Sequence, residues 1–222
     1  MSGRLSDGKQ RKDSSQRWLT RQLNDPYVAA AKRHGYRSRA AFKLLELDDR
    51  FHFLRPGARV VDLGAAPGGW TQVAVQRVRA GENARARVVA IDLAPMQAIE
   101  GATIVSVDAE DADLSGRVRA LLGGWADVVL SDMAPKASGH RGADHLRIIA
   151  LAETAAALAE EMLAEGGSFV CKVWQGGAET ALLARLKSLF ATVRHAKPPA
   201  SRPESAEVYL VAQGFRGRRD PA

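Results

Sequence analysis

Short apolar runs alternate with helical segments along most of the chain, and this alternation limits the possible folds more than any other feature. Five runs predict buried strands, at residues 59–63, 87–92, 103–108, 125–132 and 167–173. Helices are predicted at residues 70–79, 143–164 and 180–189, and two last strands at residues 191–195 and 207–212. Gly166 and Gly167 suit the end of the second of these helices. The pattern predicts an α/β fold with a doubly wound, mostly parallel sheet and helices on both faces.

Charged side chains stand at or next to the ends of the five apolar runs. Four runs close on an aspartate, and these are Asp62, Asp92, Asp108 and Asp132. Lys172 lies near the end of the fifth run. In an open α/β sheet, ligands bind beyond the carboxyl ends of the parallel strands. The sequence therefore predicts that these side chains line one ligand site.

A glycine-rich run, DLGAAPGGW at residues 62–70, follows the first strand and is predicted to form a cofactor loop. Its glycines, Gly64 and Gly68 among them, allow the backbone to pass close to a ligand. Their spacing matches neither the dinucleotide fingerprint nor the phosphate-binding P-loop. A dehydrogenase or a phosphotransferase is therefore disfavoured.

Three aspartates indicate which cofactor the site would bind. Asp62 suits a cationic group, bound directly or through water, Asp92 suits the hydroxyls of a ribose, and Asp108 suits an adenine amine. S-adenosylmethionine carries all three groups, so these residues favour it as the cofactor. Two alternatives remain open: any of these aspartates can instead cap a helix or anchor a loop, and Trp70 can be a buried anchor that touches no ligand.

The positive charge of the chain is concentrated at one end. Residues 1–39 carry ten Lys or Arg and three Asp, so this segment accounts for the whole net charge of +7. We predict that residues 1–15 are a disordered basic arm and that residues 16–222 form one domain. This domain would begin with basic helices over residues 18–31 and 38–50, the second capped by Ser38. Together with Tyr27, Tyr36 and Arg37, the segment is expected to bind phosphates, although a solubilising tail is an alternative.

Membrane segments, disulfides and metal sites are not predicted. No apolar stretch reaches the length of a membrane span, and the N-terminus lacks the apolar core of a signal peptide. Cys171 is the only cysteine, so an internal disulfide is impossible and a reducing compartment such as the cytoplasm fits best. The five histidines show no spacing of metal ligands, and we predict no metal cofactor.

Six runs of the chain resemble, in order, the motifs of the FtsJ/RrmJ family of ribosomal RNA ribose methyltransferases. They are residues 37–44, 62–70, 92–96, 131–135, 166–173 and 201–211, and the resemblance extends from residue 18 to residue 214. It implies a Rossmann-like, S-adenosylmethionine-dependent methyltransferase fold. It also implies methylation of a ribose 2′-hydroxyl in 23S RNA of the large ribosomal subunit. In the bacterial members the modified nucleotide is a uridine.

The resemblance assigns roles to individual residues. A catalytic tetrad matches Lys43, Asp132, Lys172 and Glu207. Cofactor contacts match Gly68, Trp70, Asp92, Asp108 and Asp132. The chain departs from the family at residues 201–205, SRPES, where a basic residue often follows the Ser-Arg pair. The implied partner is ribosomal RNA within the large subunit, and the protein is expected to act as a monomer.

The chemistry of the reaction explains why such a tetrad is needed. A ribose 2′-hydroxyl is a weak nucleophile, whereas the methyl group of a sulfonium is already activated, so alignment and proton removal remain for the protein. We predict Lys172 as the base, because burial in an apolar strand and the cation of Lys43 favour a neutral amine. Asp132 would position Lys172, while Lys43 and Glu207 would hold the hydroxyl in line. Lys172 as a charged orienting group is an open alternative.

Two other functions are compatible with parts of this pattern. The substrate could be another RNA, such as a transfer RNA or a messenger cap, because the same tetrad would serve there. The protein could also be a non-catalytic RNA-binding factor of ribosome assembly. The complete tetrad disfavours the second function, since a protein that only binds RNA has no need of it.

Overall fold

The computed structural model of the chain describes residues 25–135, 139–176 and 180–217, apart from the side chain of Arg141. The predicted basic arm over residues 1–15 lies outside these residues, as does the first half of the helix predicted over residues 18–31. Residues 25–217 thus supply all of the predicted tetrad and cofactor residues.

A seven-stranded sheet forms the centre of the domain. Its strands are β1 (Arg59–Leu63), β2 (Arg87–Asp92), β3 (Ala102–Ser106), β4 (Ala126–Ser131), β5 (Leu163–Trp174), β6 (Phe190–Ala196) and β7 (Glu207–Phe215). The strand order is β3-β2-β1-β4-β5-β7-β6. Neighbouring strands from β3 to β5 pair in parallel, and β7 is antiparallel to both β5 and β6. The predicted α/β fold with a mostly parallel sheet is confirmed.

Six helices flank this sheet in the described part of the chain. They are α1 (Pro26–His34), α2 (Ala40–Phe51), α3 (Gly69–Val78), α4 (Leu114–Leu122), α5 (Arg141–Met162) and α6 (Thr180–Leu189). Each face of the sheet carries a hydrophobic cluster. Side chains of α4, α5 and α6 pack on one face, and side chains of α2 and α3 on the other. Within β1, Val61 and Leu63 face the first cluster while Val60 faces the second, as the alternation along a strand requires.

Two local predictions were wrong, and one helix was not predicted. The helix α2 begins after Arg39, which makes no side-chain capping bond, so Ser38 does not cap it. An ideal Cβ at Gly69 would lie 2.4 Å from the Ser38 hydroxyl oxygen, so Ser38 instead packs against the start of α3. The helix α5 ends at Met162 and β5 follows at once, so Gly166 and Gly167 lie within the strand rather than closing the helix. The sequence pattern also failed to predict α4.

The start of α1 differs from its predicted position for a clear reason. Asp25 caps the helix, because its side chain accepts a hydrogen bond of 3.0 Å from the backbone N–H of Tyr27. Pro26 then occupies the first turn, where its missing N–H costs nothing. None of the helices in residues 25–217 that the structure describes is both long and apolar enough to cross a membrane.

Candidate active site and cofactor cavity

A cavity of about 300 Å³ opens at the carboxyl edge of β1, β2 and β4. The parallel register places the ends of these strands side by side, with Leu63 opposite both Ile91 and Ser131. Four of the residues predicted to bind the cofactor line the cavity, and these are Gly64, Asp92, Asp108 and Asp132. The three aspartates among them thus lie at the edge of the sheet where the sequence predicts a ligand site.

Asp92 is fixed in the wall of the cavity by backbone donors. One carboxylate oxygen accepts a hydrogen bond of 2.9 Å from the N–H of Ala66, and the other accepts one of 2.7 Å from the N–H of Ala94. Asp108 accepts a hydrogen bond of 3.1 Å at Oδ1 from the N–H of Glu110. A carboxylate oxygen has room for more than one donor. Both side chains therefore keep acceptor capacity towards a ligand.

Asp62 lies close to the cavity but is completely buried. Its Oδ2 accepts a hydrogen bond of 2.7 Å from the Thr71 hydroxyl, whereas its Oδ1 has no hydrogen-bond partner among the described residues. Burial raises the pKa of Asp62 to about 7, and the neighbouring carboxylates of Asp132 and Asp92 add to this effect while Thr71 opposes it. The side chain thus changes its charge near neutral pH.

Gly64, Gly68 and Trp70 are positioned by packing. Gly64 has a φ of 72°, and a Cβ there would come within 2.9 Å of the Met133 backbone, so only glycine lets the loops after β1 and β4 cross. Trp70 is 3% exposed and donates from Nε1 to the carbonyl oxygen of Ala40 at 2.8 Å. Neither Gly68 nor Trp70 lines the cavity. Their contact with the cofactor stays a prediction, and Trp70 has the features of a buried anchor.

The four residues of the predicted tetrad come together as two ion pairs. The Nζ atom of Lys172, near the end of β5, lies 3.0 Å from Asp132 Oδ1 and donates to the Asp132 carbonyl oxygen at 2.6 Å. The Nζ atom of Lys43, on α2, lies 2.6 Å from Glu207 Oε1 at the start of β7. The side chains of Lys172 and Lys43 are only 7% and 10% exposed. Two cations therefore face two carboxylates in a site largely closed to solvent.

Tyr209 joins the two ion pairs and was missed by sequence reasoning. Its hydroxyl lies 2.8 Å from Asp132 Oδ1 and 3.3 Å from Glu207 Oε1, so its single proton is shared between two carboxylates. Burial and these carboxylates raise the pKa of Tyr209 well above its ordinary value, which keeps the phenol a donor. A tyrosine two residues after Glu207 on the same strand face was the only signal for this role.

The groups around Asp132 keep its carboxylate ionised. Burial alone would raise the pKa of Asp132, but the cations of Lys172 and Lys43 and the hydrogen bonds from Lys172 and Tyr209 outweigh burial. The pKa of Asp132 therefore lies below its ordinary value. Asp132 remains an ionised acceptor that holds Lys172 at one position.

The segment before Glu207 is tied to the N-terminal helices. Ser201 donates to Glu207 Oε1 at 2.9 Å, and Arg202 lies 3.2 Å from Asp25 Oδ2, which also pairs with Arg39 at 2.9 Å. Arg202 thus has a structural partner in the loop where the chain departs from the family pattern. Because Asp25 precedes α1 directly, this ion cluster connects the start of α1 to the loop before β7.

Among the residues that the structure describes, no group of three or more His, Cys, Asp or Glu side chains is arranged to hold a metal ion. The chemistry offered by the site is instead that of carboxylate acceptors around a cavity, beside two buried lysines.

The sheet order, the antiparallel β7 and the acidic cavity at the carboxyl edge define the class of Rossmann-like methyltransferases. Comparison with known proteins narrows this class. The sequence model of the FtsJ-like methyltransferase family matches residues 36–215, and the chain therefore belongs to that family, as its motifs predict. The protein is a methyltransferase.

Individual relatives agree with this assignment. The ribosomal RNA large subunit methyltransferase E of Granulibacter bethesdensis is 57% identical over 96% of this chain and 90% of its own length. The protein of the same name from Rhodospirillum rubrum is 57% identical over 96% of this chain and 81% of its own. A crystal structure of a putative ribosomal RNA methyltransferase from Plasmodium falciparum superposes with a TM-score of 0.73 at 29% identity, covering 82% of this chain and 100% of that one.

Proposed function

We propose that this protein transfers a methyl group from S-adenosylmethionine to the 2′-hydroxyl of a uridine ribose in 23S RNA of the large ribosomal subunit. One observation carries the proposal: the buried Lys172–Asp132 pair borders the cofactor cavity through Asp132 and is joined to Lys43–Glu207 through Tyr209. The names of the two bacterial relatives support ribosomal RNA of the large subunit as the substrate.

The carboxylate acceptors that line the cavity match the hydrogen-bond donors of S-adenosylmethionine. Asp92 would accept from the ribose hydroxyls and Asp108 from the adenine amine, while Leu93 and Val107 offer apolar contact to the base. Asp62, with an unpartnered buried oxygen beside the cavity, would compensate the positive charge of the ligand. When bound, S-adenosylmethionine supplies a methyl group that its sulfonium charge has already activated. The proposal includes no metal.

Cofactor affinity is expected to depend on pH through Asp62. The Asp62 carboxyl is neutral below its pKa of about 7 and ionised above it, and only the ionised form attracts a cationic ligand. The affinity for S-adenosylmethionine should therefore rise with pH up to neutrality, by up to about tenfold per pH unit, and level off above. Calorimetric titrations between pH 5.5 and 8.5 measure this, and Asp62→Asn, which cannot ionise, should flatten the curve. An equally steep curve in the variant would assign the dependence to another group.

The hydrogen bonds of Lys172 suit a base. To act as a base, the Lys172 ammonium must first lose one proton to solvent. The neutral amine that results has two N–H donors and one lone pair, and the carbonyl and carboxylate oxygens of Asp132 can take both donors. The lone pair is then left to accept the proton of the ribose hydroxyl at Nζ. Lys43 and Glu207 would hold that hydroxyl in line, as the family resemblance implies.

Removal of the Tyr209 hydroxyl tests whether the two ion pairs work as one unit. We expect Tyr209→Phe to lower the rate of methyl transfer by roughly tenfold and the free energy of unfolding by about 1–2 kcal/mol, because two carboxylates lose a shared donor. Ser188→Ala is the control, since it removes an exposed hydroxyl on α6 that donates to the Arg185 carbonyl oxygen, away from the tetrad and the cavity. Single-turnover assays with saturating cofactor measure the rate. A Tyr209→Phe rate within twofold of the control would show that the link is dispensable.

RNA affinity is expected to depend on the N-terminal segment. Residues 1–24 carry six Lys or Arg and two Asp, whereas the structure packs residues 25–39 onto the domain, so the cut belongs between residues 24 and 25. Deletion of residues 1–24 should weaken RNA binding at least about tenfold and flatten its salt dependence, because fewer counterions are released. The affinity for S-adenosylmethionine should not change. Unaltered RNA binding would leave the segment as a solubilising tail.

Methyl transfer from labelled S-adenosylmethionine tests the proposed function. The substrates are large ribosomal subunits that lack ribose methylation, free 23S RNA and, as an alternative, transfer RNA. The protein and Lys172→Ala are assayed in parallel, and the label is mapped by primer extension. Label on one uridine 2′-oxygen of 23S RNA, absent with the variant, is the expected result.

The other outcomes separate the alternatives. Transfer to transfer RNA alone would keep the chemistry and correct the substrate. Binding of subunits without transfer to any RNA would overturn the catalytic function and favour an assembly factor. The monomeric state and the cytoplasmic location expected from the sequence remain predictions.

A further inference from the structure

The turn between α1 and α2 sends one side chain across to the cofactor loops. The guanidinium of Arg37 donates from Nη1 to the carbonyl oxygens of Pro67 and Gln97, at 3.3 and 2.9 Å, and from Nη2 to that of Ala98 at 2.7 Å. A Cβ at Gly68 would lie 3.1 Å from Nη1, so the guanidinium also packs directly on the glycine-rich loop. One cation thus holds two separate segments of backbone.

Both segments carry walls of the cofactor cavity. Pro67 follows Ala66, which lines the cavity and donates its N–H to Asp92. Gln97 and Ala98 belong to the loop after β2, whose first residue, Leu93, also lines the cavity. Any change in the spacing of these two loops therefore displaces the cavity wall.

The turn that carries Arg37 is itself fixed to α3. The backbone N–H of Arg37 donates to Gln72 Oε1 at 2.8 Å, and Gln72 Nε2 donates to the carbonyl oxygen of Gly35 at 3.0 Å. The hydroxyl of Tyr36 bonds to Gln76 one helical turn further along, at 2.9 Å. The hydrogen bonds to α3 therefore fix the turn that carries the guanidinium, which acts as a fixed clamp rather than a mobile surface cation.

We infer that Arg37 is a positioning residue for the methyl donor: it clamps the loops after β1 and β2 at the spacing that forms the cofactor cavity. Without the clamp, the loops sample more arrangements, and binding has to order them. The inference rests on the proposed function, because the ligand of the cavity is taken to be S-adenosylmethionine. It gives Arg37 a role other than the RNA contact expected from the sequence, since three guanidinium hydrogen bonds go to backbone carbonyls.

Arg37→Gln and Arg37→Lys test the clamp in the full-length protein, with Arg33→Gln as the control of equal charge. Arg33 is exposed on the last turn of α1. Calorimetry gives the dissociation constant for S-adenosylmethionine, steady-state assays give KM and kcat, and RNA binding is measured against salt concentration. Thermal unfolding verifies that each variant is folded.

We expect Arg37→Gln to raise the dissociation constant for S-adenosylmethionine by about tenfold, equivalent to about 1.4 kcal/mol, while Arg33→Gln leaves it unchanged. Arg37→Lys should resemble Arg37→Gln, because a single ammonium does not span both loops. The KM for the cofactor should rise in proportion, with kcat at saturation close to that of the wild type.

Two results would overturn the inference. One is an unchanged cofactor affinity in Arg37→Gln together with a weaker salt dependence of RNA binding. The slope of log K against log salt concentration would then be shallower by about 0.7–0.9, as expected when one phosphate contact is lost. The other is a lower kcat at saturating cofactor with KM unchanged. A wild-type protein that binds no S-adenosylmethionine would instead overturn the proposed function, and the inference with it.

Discussion

Lys172→Met will lower the single-turnover rate of methyl transfer by about a thousandfold or more, within the range by which general bases accelerate proton transfers. Methionine keeps the length of the side chain but removes the amine that would accept the hydroxyl proton. It also leaves the largely buried Asp132 carboxylate without the N–H donor that lies 3.0 Å away in the wild type. Lys187→Met, which removes an exposed lysine of α6, is the matched control and should keep the full rate.

Amine rescue separates a base from an orienting group. Lys172→Ala opens space beside Asp132, and small primary amines added to the assay should restore part of the rate. If Lys172 acts as a base, the restored rate should increase with the basicity of the amine after correction for its size. A variant that keeps most of its rate without added amine would show that alignment supplies the catalysis. Rescue independent of basicity would show that Lys172 orients the hydroxyl as a cation.

The parts of the fold that could be predicted from sequence depend on local pattern. β1, β2 and β4 are apolar runs with an aspartate at or next to their ends, so these strands and aspartates were recognised from a few adjacent residues. The positions of Lys43 and Glu207 came instead from the family resemblance. Nothing local in α2 or β7 indicates that these side chains meet at 2.6 Å.

The missed features depend on contacts between distant parts of the chain. Tyr209 and Asp132 are 77 residues apart, and Arg202 and Asp25 are 177 residues apart, so no spacing rule connects either pair. Ser38 had the correct residue type for a helix cap, but the start of α3 packs against it and the helix begins later. The sequence contains the side chains of the site, whereas the tertiary fold decides which of them form bonds.

The two ion pairs and Tyr209 have a consequence for the energetics of the site. Both carboxylates are stabilised by the lysines that the chemistry uses, so a change at any one of these residues alters the charge balance of the others. Effects of double substitutions in this group are therefore expected to be non-additive. The rate measured for a single substitution at Lys172, Asp132 or Tyr209 therefore reports on the whole group of residues as well as on the one replaced.

Gly64→Ala should destabilise the protein by about 2–5 kcal/mol, because two costs add at this position. The first is the left-handed backbone, with a φ of 72°, which disfavours any residue that has a Cβ. The second is overlap with Met133, whose backbone N and Cα would lie 2.9 Å from the new Cβ and cannot rotate away as a side chain can. Since Gly64 and Met133 both line the cavity, the affinity for S-adenosylmethionine should fall as well.

Gly166→Ala separates these two costs, because Gly166 has a similar φ of 79° but a Cβ there would meet nothing within 4 Å. It should lower the free energy of unfolding by only about 1–2 kcal/mol, the cost of the backbone conformation alone. Equilibrium unfolding in urea measures both variants, and calorimetry measures their cofactor affinity. Equal destabilisation by the two substitutions, with unaltered cofactor binding, would mean that Met133 moves freely. The crossing of the loops after β1 and β4 would then not determine the shape of the cavity.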